Sequence, residues 1–402
     1  MYVVAAIVPQ GGLARGREYR DVGLYGDYAR ALLDGRVPYR DFFVEYPPGA
    51  FAIFTPPAVL PEEAYRHSFK VLMALLGVAM LIVAGLILAQ LGAGRRQLQA
   101  TLAALALSPL ALGPVSLNTY DLWPALLVAA AVAALLYGRP TLGFALLGLA
   151  VTAKLYPLAL LPLFCLVARP RLVRPLLGFG TVVAAVFVPF ALVAWGGLRE
   201  SLEAQSERAL QLESLGGAIL AGADRLGLYD ATVVTGSTAA VSRDLAGGLP
   251  DALAVVSTVL QAAAVVAVAW FFAVRGRASG ERFVIAAAAT LAGSLAFSRF
   301  ISPQYLVWLL PLVPIVGLAP AVLAAAAMVL AQLWFFHYRD VFALEGIVWL
   351  VVVRDVLLAA LYGLLLWRTM TPSSSRIFVH APLSNRPASG TAAVEAEERR
   401  SR

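Results

Sequence analysis

Long apolar runs separated by short polar segments dominate the chain. They fall at about 68–92, 98–116, 120–137, 174–195, 251–274, 282–298, 303–318, 319–337 and 345–367. Most are close to the roughly 20 residues that an α-helix needs to cross hydrocarbon. Strands of membrane barrels alternate in polarity and run only about 10 residues, so the pattern excludes a barrel. A further pair of runs, 141–153 and 157–168, is split by Lys154-Leu155-Tyr156-Pro157. Each half is short for a full span, which predicts a broken or re-entrant pair. Such a break is tolerated only where protein or water covers it. The prediction is an all-α polytopic membrane protein with about 10–12 membrane helices, some of them broken. Met1–Pro9 is apolar but too short to span and lacks a basic leader, so the expectation is a shortened amino terminus.

Composition agrees. The chain is 60% hydrophobic with mean hydropathy +0.80, whereas soluble domains are about 45–50% apolar. A formal charge of +7 is what a positive-inside bias produces and does not call for nucleic acid. The single cysteine, Cys165, lies in an apolar run and cannot form an intrachain disulfide. Arg95 and Arg96, Arg139, Arg169, Arg171 and Arg174, then Arg275, Arg277 and Arg282 occupy alternate loops. Arg368 and Arg376 follow the last run. By the positive-inside rule these segments are cytoplasmic. Segments 10–67, 118–119, 196–250, 299–304 and 338–345 then fall on the extracytoplasmic side. The expected organisation is one integral-membrane domain over 1–367, with outer loops 10–67 and 196–250. The tail 368–402, rich in Ser, Pro, Ala and Glu, reads as a disordered cytoplasmic extension.

The unusual polar residues collect on that outer side. Asp21 follows the first apolar stub, and burial at a membrane edge lifts a carboxylate toward the working range of a general base. A solvated acid beside Arg20 is the bland alternative. Glu45-Tyr46-Pro47-Pro48 has two prolines to fix its backbone; an interfacial turn with an aromatic anchor is the alternative. Lys154 is one of two lysines in the chain, the other being Lys70. An ionisable residue inside an apolar run points to function, with a snorkelling side chain as the alternative. Arg208 and Glu213-Ser214 lie in a stretch whose Ala209, Leu212 and Leu215 suggest an amphipathic helix on the membrane. Arg208 suits a phosphate through its planar fork; a charged surface helix explains it equally. Arg299 is a second phosphate candidate, and Gln304 and Tyr305 suit sugar hydroxyls, against an ordinary Pro-containing turn. Arg354-Asp355, inside the last run, reads as an internal ion pair.

Several classes are excluded. There is no phosphate-binding Gly-rich loop, no dinucleotide fingerprint and no His-Glu-x-x-His. No Gly-x-Ser-x-Gly elbow occurs. His67, His337 and His380 form no ligand cluster, and the outer loops carry no Asp-x-Asp. No metal or cofactor is expected.

Taken in order, Asp21, Tyr25, Gly35, Pro38-Tyr39-Arg40-Asp41, Glu45-Tyr46-Pro47-Pro48-Gly49, Lys154-Leu155-Tyr156-Pro157, Arg208, Glu213-Ser214 and Ser302-Pro303-Gln304-Tyr305-Leu306-Val307-Trp308 resemble the family 87 glycosyltransferases. These are GT-C-fold enzymes related to bacterial polyprenyl-phosphate-mannose-dependent α-mannosyltransferases. The resemblance covers most of the chain up to about residue 367. It implies inverting transfer of a hexose, mannose by analogy, from a polyprenyl-phosphate sugar to a lipid or glycan acceptor outside the cell membrane. Asp21 matches the family's general base. Lys154, Arg208 and Arg299 would stabilise the donor phosphate, and Glu45, Tyr46, Glu213, Ser214, Gln304 and Tyr305 would contact substrate. The Arg-Asp pair at 354–355 departs from the Arg-Asn common among relatives. Two rival readings are a multi-pass transporter or lipid flippase, and a scaffold subunit without catalysis. A transporter would favour internal repeats and mid-depth sites, neither of which the sequence displays.

Overall fold

The computed structural model describes residues 21–235, 242–275 and 279–371. The Met1–Pro9 stub and the tail beyond 371 lie outside these residues, so neither reading is addressed. The architecture is helical, as the apolar runs predict. The helices are α1 (Asp21–Leu33), α2 (Phe51–Ala58), α3 (Glu62–Gln90), α4 (Arg95–Leu112), α5 (Val115–Asn118), α6 (Leu122–Leu136), α7 (Pro140–Ala153) and α8 (Leu161–Ala168). They continue with α9 (Val173–Ser206), α10 (Leu215–Arg225), α11 (Gly248–Val274), α12 (Gly280–Ala296), α13 (Leu318–Phe336), α14 (Tyr338–Phe342) and α15 (Trp349–Met370). Among the described residues the only sheet is an antiparallel hairpin of β1 (Thr232–Thr235) and β2 (Arg243–Ala246).

Five helices, α3, α9, α11, α13 and α15, are long and apolar enough to cross a membrane. The other members of the expected set are shorter or interrupted. Helix α12 is buried on every side, from Arg282 to Ala296. Its Ala-, Gly- and Ser-rich sequence lets neighbouring backbones approach closely, which is how helices associate when lipid supplies no hydrophobic contrast.

Two expectations need correction. The run 303–318 is not a helical span: Pro303–Leu309 is a single 3-10 segment followed by turns. Pro311 and Pro314 remove donors and block a continuous helix. The segment is nonetheless enclosed, with every residue from Pro303 to Val313 buried, so protein shields its irregular backbone. The stretch 207–214 is not an amphipathic helix either. Its backbone is bound laterally, Gln211 N donating to Arg299 O at 2.9 Å and Leu212 N to Arg243 O at 2.9 Å. Helix α10 begins only after Ser214, whose hydroxyl accepts from Gly217 N at 3.2 Å. The segments 10–67 and 196–250 include α1, α2, the start of α3, the end of α9 and α10.

The break between α7 and α8 is real. Lys154 leaves the helix in extended backbone, and Tyr156–Leu160 forms a 3-10 turn. Helix direction then sorts the loops. The start of α6 meets the end of α7, where Tyr120 Oη donates to Ala153 O at 3.3 Å. The end of α9 meets the 45–49 turn, with Gln205 Nε2 donating to Glu45 O at 2.9 Å. At the opposite end lie the arginine loops, where Arg282 donates to Phe271 O at 2.8 Å and Arg368 to Val316 O at 2.8 Å. The polar segments and the basic loops therefore occupy opposite ends of the bundle.

Candidate active site

The Glu45–Gly49 turn is the centre of the polar end. Upstream, Asp41 organises the approach: its carboxylate accepts from Val37 N at 2.7 Å and from Arg40 Nε at 2.9 Å. Tyr39 Oη donates to Tyr46 O at 2.6 Å. Pro47 and Pro48 then rigidify the turn. Gly49 lets it close on the end of α7, because a Cβ there would lie 2.6 Å from the Thr152 carbonyl carbon. The two motifs, distant in sequence, are thus pressed together two residues before Lys154.

Two buried ion pairs follow. Lys154 Nζ donates to Asp121 Oδ1 at 2.6 Å, with Asp121 fully buried. The same oxygen accepts from Trp308 Nε1 at 2.6 Å. The Lys154 ammonium also faces the rings of Tyr120 and Tyr305 at 4.9 Å and of Trp308 at 5.4 Å. Trp308 itself stacks between Tyr156 at 3.9 Å and Tyr305 at 4.3 Å. In the second pair Arg208 binds the Glu45 carboxylate, while its guanidinium lies over Phe300 at 4.9 Å. Cations over aromatic faces gain extra attraction when desolvated.

Asp21 opens α1. Burial pushes its carboxyl up to about 6, the Asp121 carboxylate adds to the shift, and the Lys154 ammonium opposes it. Glu45 acts in the same upward direction. Three acids and Lys154 therefore share one electrostatic environment, in which Asp21 keeps a proton more readily than a surface aspartate. Tyr25, one turn later, stacks on Phe54 at 4.4 Å and meets Tyr46 and Tyr120 edge-on, both at 5.5 Å. That ring cluster fixes α1 against the turn.

The placement of the expected residues is uneven. Asp21, Glu45, Tyr46, Lys154, Arg208 and Tyr305 are connected by the contacts above. Gln304 is buried beside Tyr305, with Oε1 lacking a partner. Arg299 contributes its backbone carbonyl to Gln211. Ser214 is fully buried and spends its hydroxyl on the α10 cap and on Gln211 O at 2.7 Å. Glu213 is buried, and its carbonyl accepts from Arg354. Burial raises the Glu213 carboxyl to about 8, the Arg354 guanidinium opposing and the carboxylates of Asp355 and Asp244 reinforcing. Arg354 and Asp355 form the internal pair expected of them, at 2.8 Å.

Sequence reasoning missed Asp121, which lay inside the run assigned to 120–137. The rule that singled out Lys154, an ionisable residue within an apolar stretch, applied equally to it. Among the described residues no group of His, Cys, Asp and Glu is arranged to hold a metal.

The site thus combines a half-buried acid with an elevated proton affinity, two enclosed cations and a wall of aromatic rings. Several buried polar atoms of this site, Glu45 Oε2, Asp121 Oδ2, Arg208 Nε, Tyr156 Oη and Gln304 Oε1, have no hydrogen-bond partner. Buried polar groups are normally satisfied, so these atoms have bonding capacity left for water or a polar ligand. No curated protein matches the chain. A family model does match, over residues 43–303, which take in the Glu45 turn, Asp121, Lys154, Arg208 and Arg299. The chain belongs to glycosyltransferase family 87.

Proposed function

We propose that the protein moves a hexose, mannose by analogy with the enzymes it resembles, from a polyprenyl-phosphate donor to a lipid or glycan acceptor. Family membership makes it a membrane glycosyltransferase, and so decides against the transporter and scaffold readings for its class. Donor, acceptor, GT-C-type architecture and an extracytoplasmic active site in the cell membrane belong to the proposal. So do the single catalytic domain over 1–367 and the roles of individual residues. The arginine-rich ends of the helices support the orientation, since basic loops are retained in the cytoplasm.

The observation that carries this reading is the gathering of two enclosed cations, Lys154 on Asp121 and Arg208 on Glu45, at the end of the bundle where Asp21 opens α1 with its carboxyl raised by burial to about 6. A carboxylate with that proton affinity is ionised near neutral pH yet basic enough to take a hydroxyl proton as it becomes acidic in the transition state. Asp21 removes the acceptor hydroxyl proton, and the oxygen attacks the anomeric carbon from the face opposite the phosphate. The anomeric C–O bond breaks, and the electron pair leaves with polyprenyl phosphate. The configuration inverts. Lys154 and Arg208 offset the charge growing on the phosphate oxygens, with Arg299 as a further candidate. Fixed cations in a water-poor site stabilise developing charge without reorganisation. Tyr46, Tyr305, Gln304 and Glu45 line the sugar side, and Glu213 and Ser214 hold the wall behind it.

The test is transfer of radiolabelled mannose from polyprenyl-phosphate-mannose to lipid in membranes containing the protein. Wild type is expected to transfer and Asp21→Asn to lose transfer while inserting normally. An Asp21→Asn protein with wild-type turnover would remove Asp21 as the base.

A further inference from the structure

Asp121 stands at the amino-terminal boundary of α6, where an aspartate ordinarily bonds its own helix's free N–H groups. It makes no such cap bond. Its side chain instead reaches two distant segments, Lys154 across 33 residues and Trp308 across 187 residues, both through Oδ1. The three segments share no regular hydrogen-bond ladder at this point. One is the entry to α6, another the extended break after α7, and the third the Pro303–Leu309 turn. The carboxylate is the knot between them.

The chemistry of the pair shows what the knot achieves. An ammonium has three donors. Asp121 takes one, and the rings of Tyr120, Tyr305 and Trp308 lie at 4.9–5.4 Å around the cation. Ring faces attract the charge but do not consume its N–H groups as an oxygen acceptor would, so donors remain for an anionic ligand. The Lys154 side chain retains 12% exposure whereas Asp121 has 0%. The ligand-facing member is therefore the lysine, and the aspartate sits behind it. An enclosed ammonium without a counter-charge tends to lose its proton or draw in water.

We propose that Asp121 is a positioning residue that keeps Lys154 charged and aimed at the donor phosphate by tying it to Trp308. This rests on the functional reading above. Two consequences are separable. Binding of any polyprenyl phosphate should depend on Asp121, because the sugar is not part of the contact. The ionisation of Asp21 should depend on it too, since the Asp121 carboxylate raises the Asp21 proton affinity and Lys154 lowers it. The groups acting on Asp21 in this way are Asp121, Lys154, Glu45 and Tyr25.

The experiment uses full-length protein purified in detergent, as wild type, Asp121→Asn and Asp121→Glu. Polyprenyl phosphate is titrated by thermophoresis, and transfer from polyprenyl-phosphate-mannose is followed from pH 5 to 8, with melting temperatures as a folding control. The asparagine retains an oxygen for the Trp308 N–H but removes the charge. Asp121→Asn should bind polyprenyl phosphate at least about tenfold more weakly, the scale seen when one member of an enclosed charge pair is neutralised. Its KM for donor should rise more than kcat falls, and the acid limb of its rate profile should move to lower pH. Asp121→Glu should recover part of the binding. Equal or tighter binding by a folded Asp121→Asn protein would overturn the proposal, and would mean that the carboxylate competes with phosphate for Lys154. An acid limb that stays in place would reduce Asp121 to a packing role. If the asparagine variant does not fold, Trp308→Phe decides, because it removes the N–H that ties Asp121 to the 303–309 turn: wild-type binding of polyprenyl phosphate by that variant would also overturn the proposal. An Asp21→Asn control retaining turnover would defeat the base assignment alone, leaving the binding arm to judge Asp121.

Discussion

The Arg208 guanidinium is paired with the Glu45 carboxylate across 163 residues of sequence, and both side chains are largely buried, at 14% and 3% exposure. This contact ties the end of α9 to the turn that carries Tyr46. It also makes any single substitution ambiguous, because removing one member strands the other. Arg208→Ala is expected to abolish most transfer and to cost stability on the order of 3–5 kcal/mol, the usual penalty of an orphaned buried charge. Adding Glu45→Gln should restore much of the melting temperature without restoring transfer. Recovery of both together would show that Arg208 acts only through folding.

Asp21 should set the acid limb of activity at about pH 6. Below that value the base is protonated, and the rate should fall about tenfold per pH unit. Stability should run the opposite way. The native state holds this proton more tightly than the unfolded chain, so the contribution is favourable in acid and is lost as pH rises from about 4 through about 6. Asp21→Asn should therefore be inactive yet melt no lower than wild type at pH 7.5. A clearly lower melting temperature would indicate that the charged carboxylate is structurally required.

Glu213 behaves differently. Burial raises its carboxyl to about 8, so at pH 7 it is mostly protonated and acts as a neutral hydrogen-bonding group. Glu213→Gln should retain transfer within about twofold of wild type near pH 7, because the amide mimics the protonated acid. The native state again holds the proton more tightly, so wild type should lose stability as pH rises from about 4.5 to about 8, and the glutamine variant should not. Comparing the two melting curves across that window checks the assignment.

Gly49 supports the site without touching a ligand. An alanine Cβ would come within 2.6 Å of the Thr152 backbone, so Gly49→Ala must push the Glu45 turn away from Lys154. The expected result is a loss of about 1–3 kcal/mol in stability, as for overpacked cores, together with a large drop in transfer. Gly85→Ala is the matched control. It lies inside α3 with nothing within 4 Å of the added carbon, and the change should leave transfer intact and raise stability by up to about 1 kcal/mol.

Much of this protein was legible as one-dimensional pattern. Hydrocarbon imposes a length and an apolar content on every crossing helix, so α3, α9, α11, α13 and α15 announce themselves in the runs at 68–92, 174–195, 251–274, 319–337 and 345–367. Ionisable residues are costly there, so Lys154 stood out, and the break at Lys154-Leu155-Tyr156-Pro157 was readable from its proline. Alternation of the arginine-bearing loops forecast which segments share an end. Tertiary structure alone decided the pairings. Pro311 and Pro314 argue locally against a 303–318 helix, but only the packing shows that neighbours enclose the turn that is found and offset its lost backbone bonds. Asp121 met the same rule as Lys154, but its value comes from Lys154 and Trp308, which are remote in sequence. Charges in a low-dielectric interior are defined by their nearest counter-charge, and that neighbour is chosen by helix packing rather than by sequence spacing.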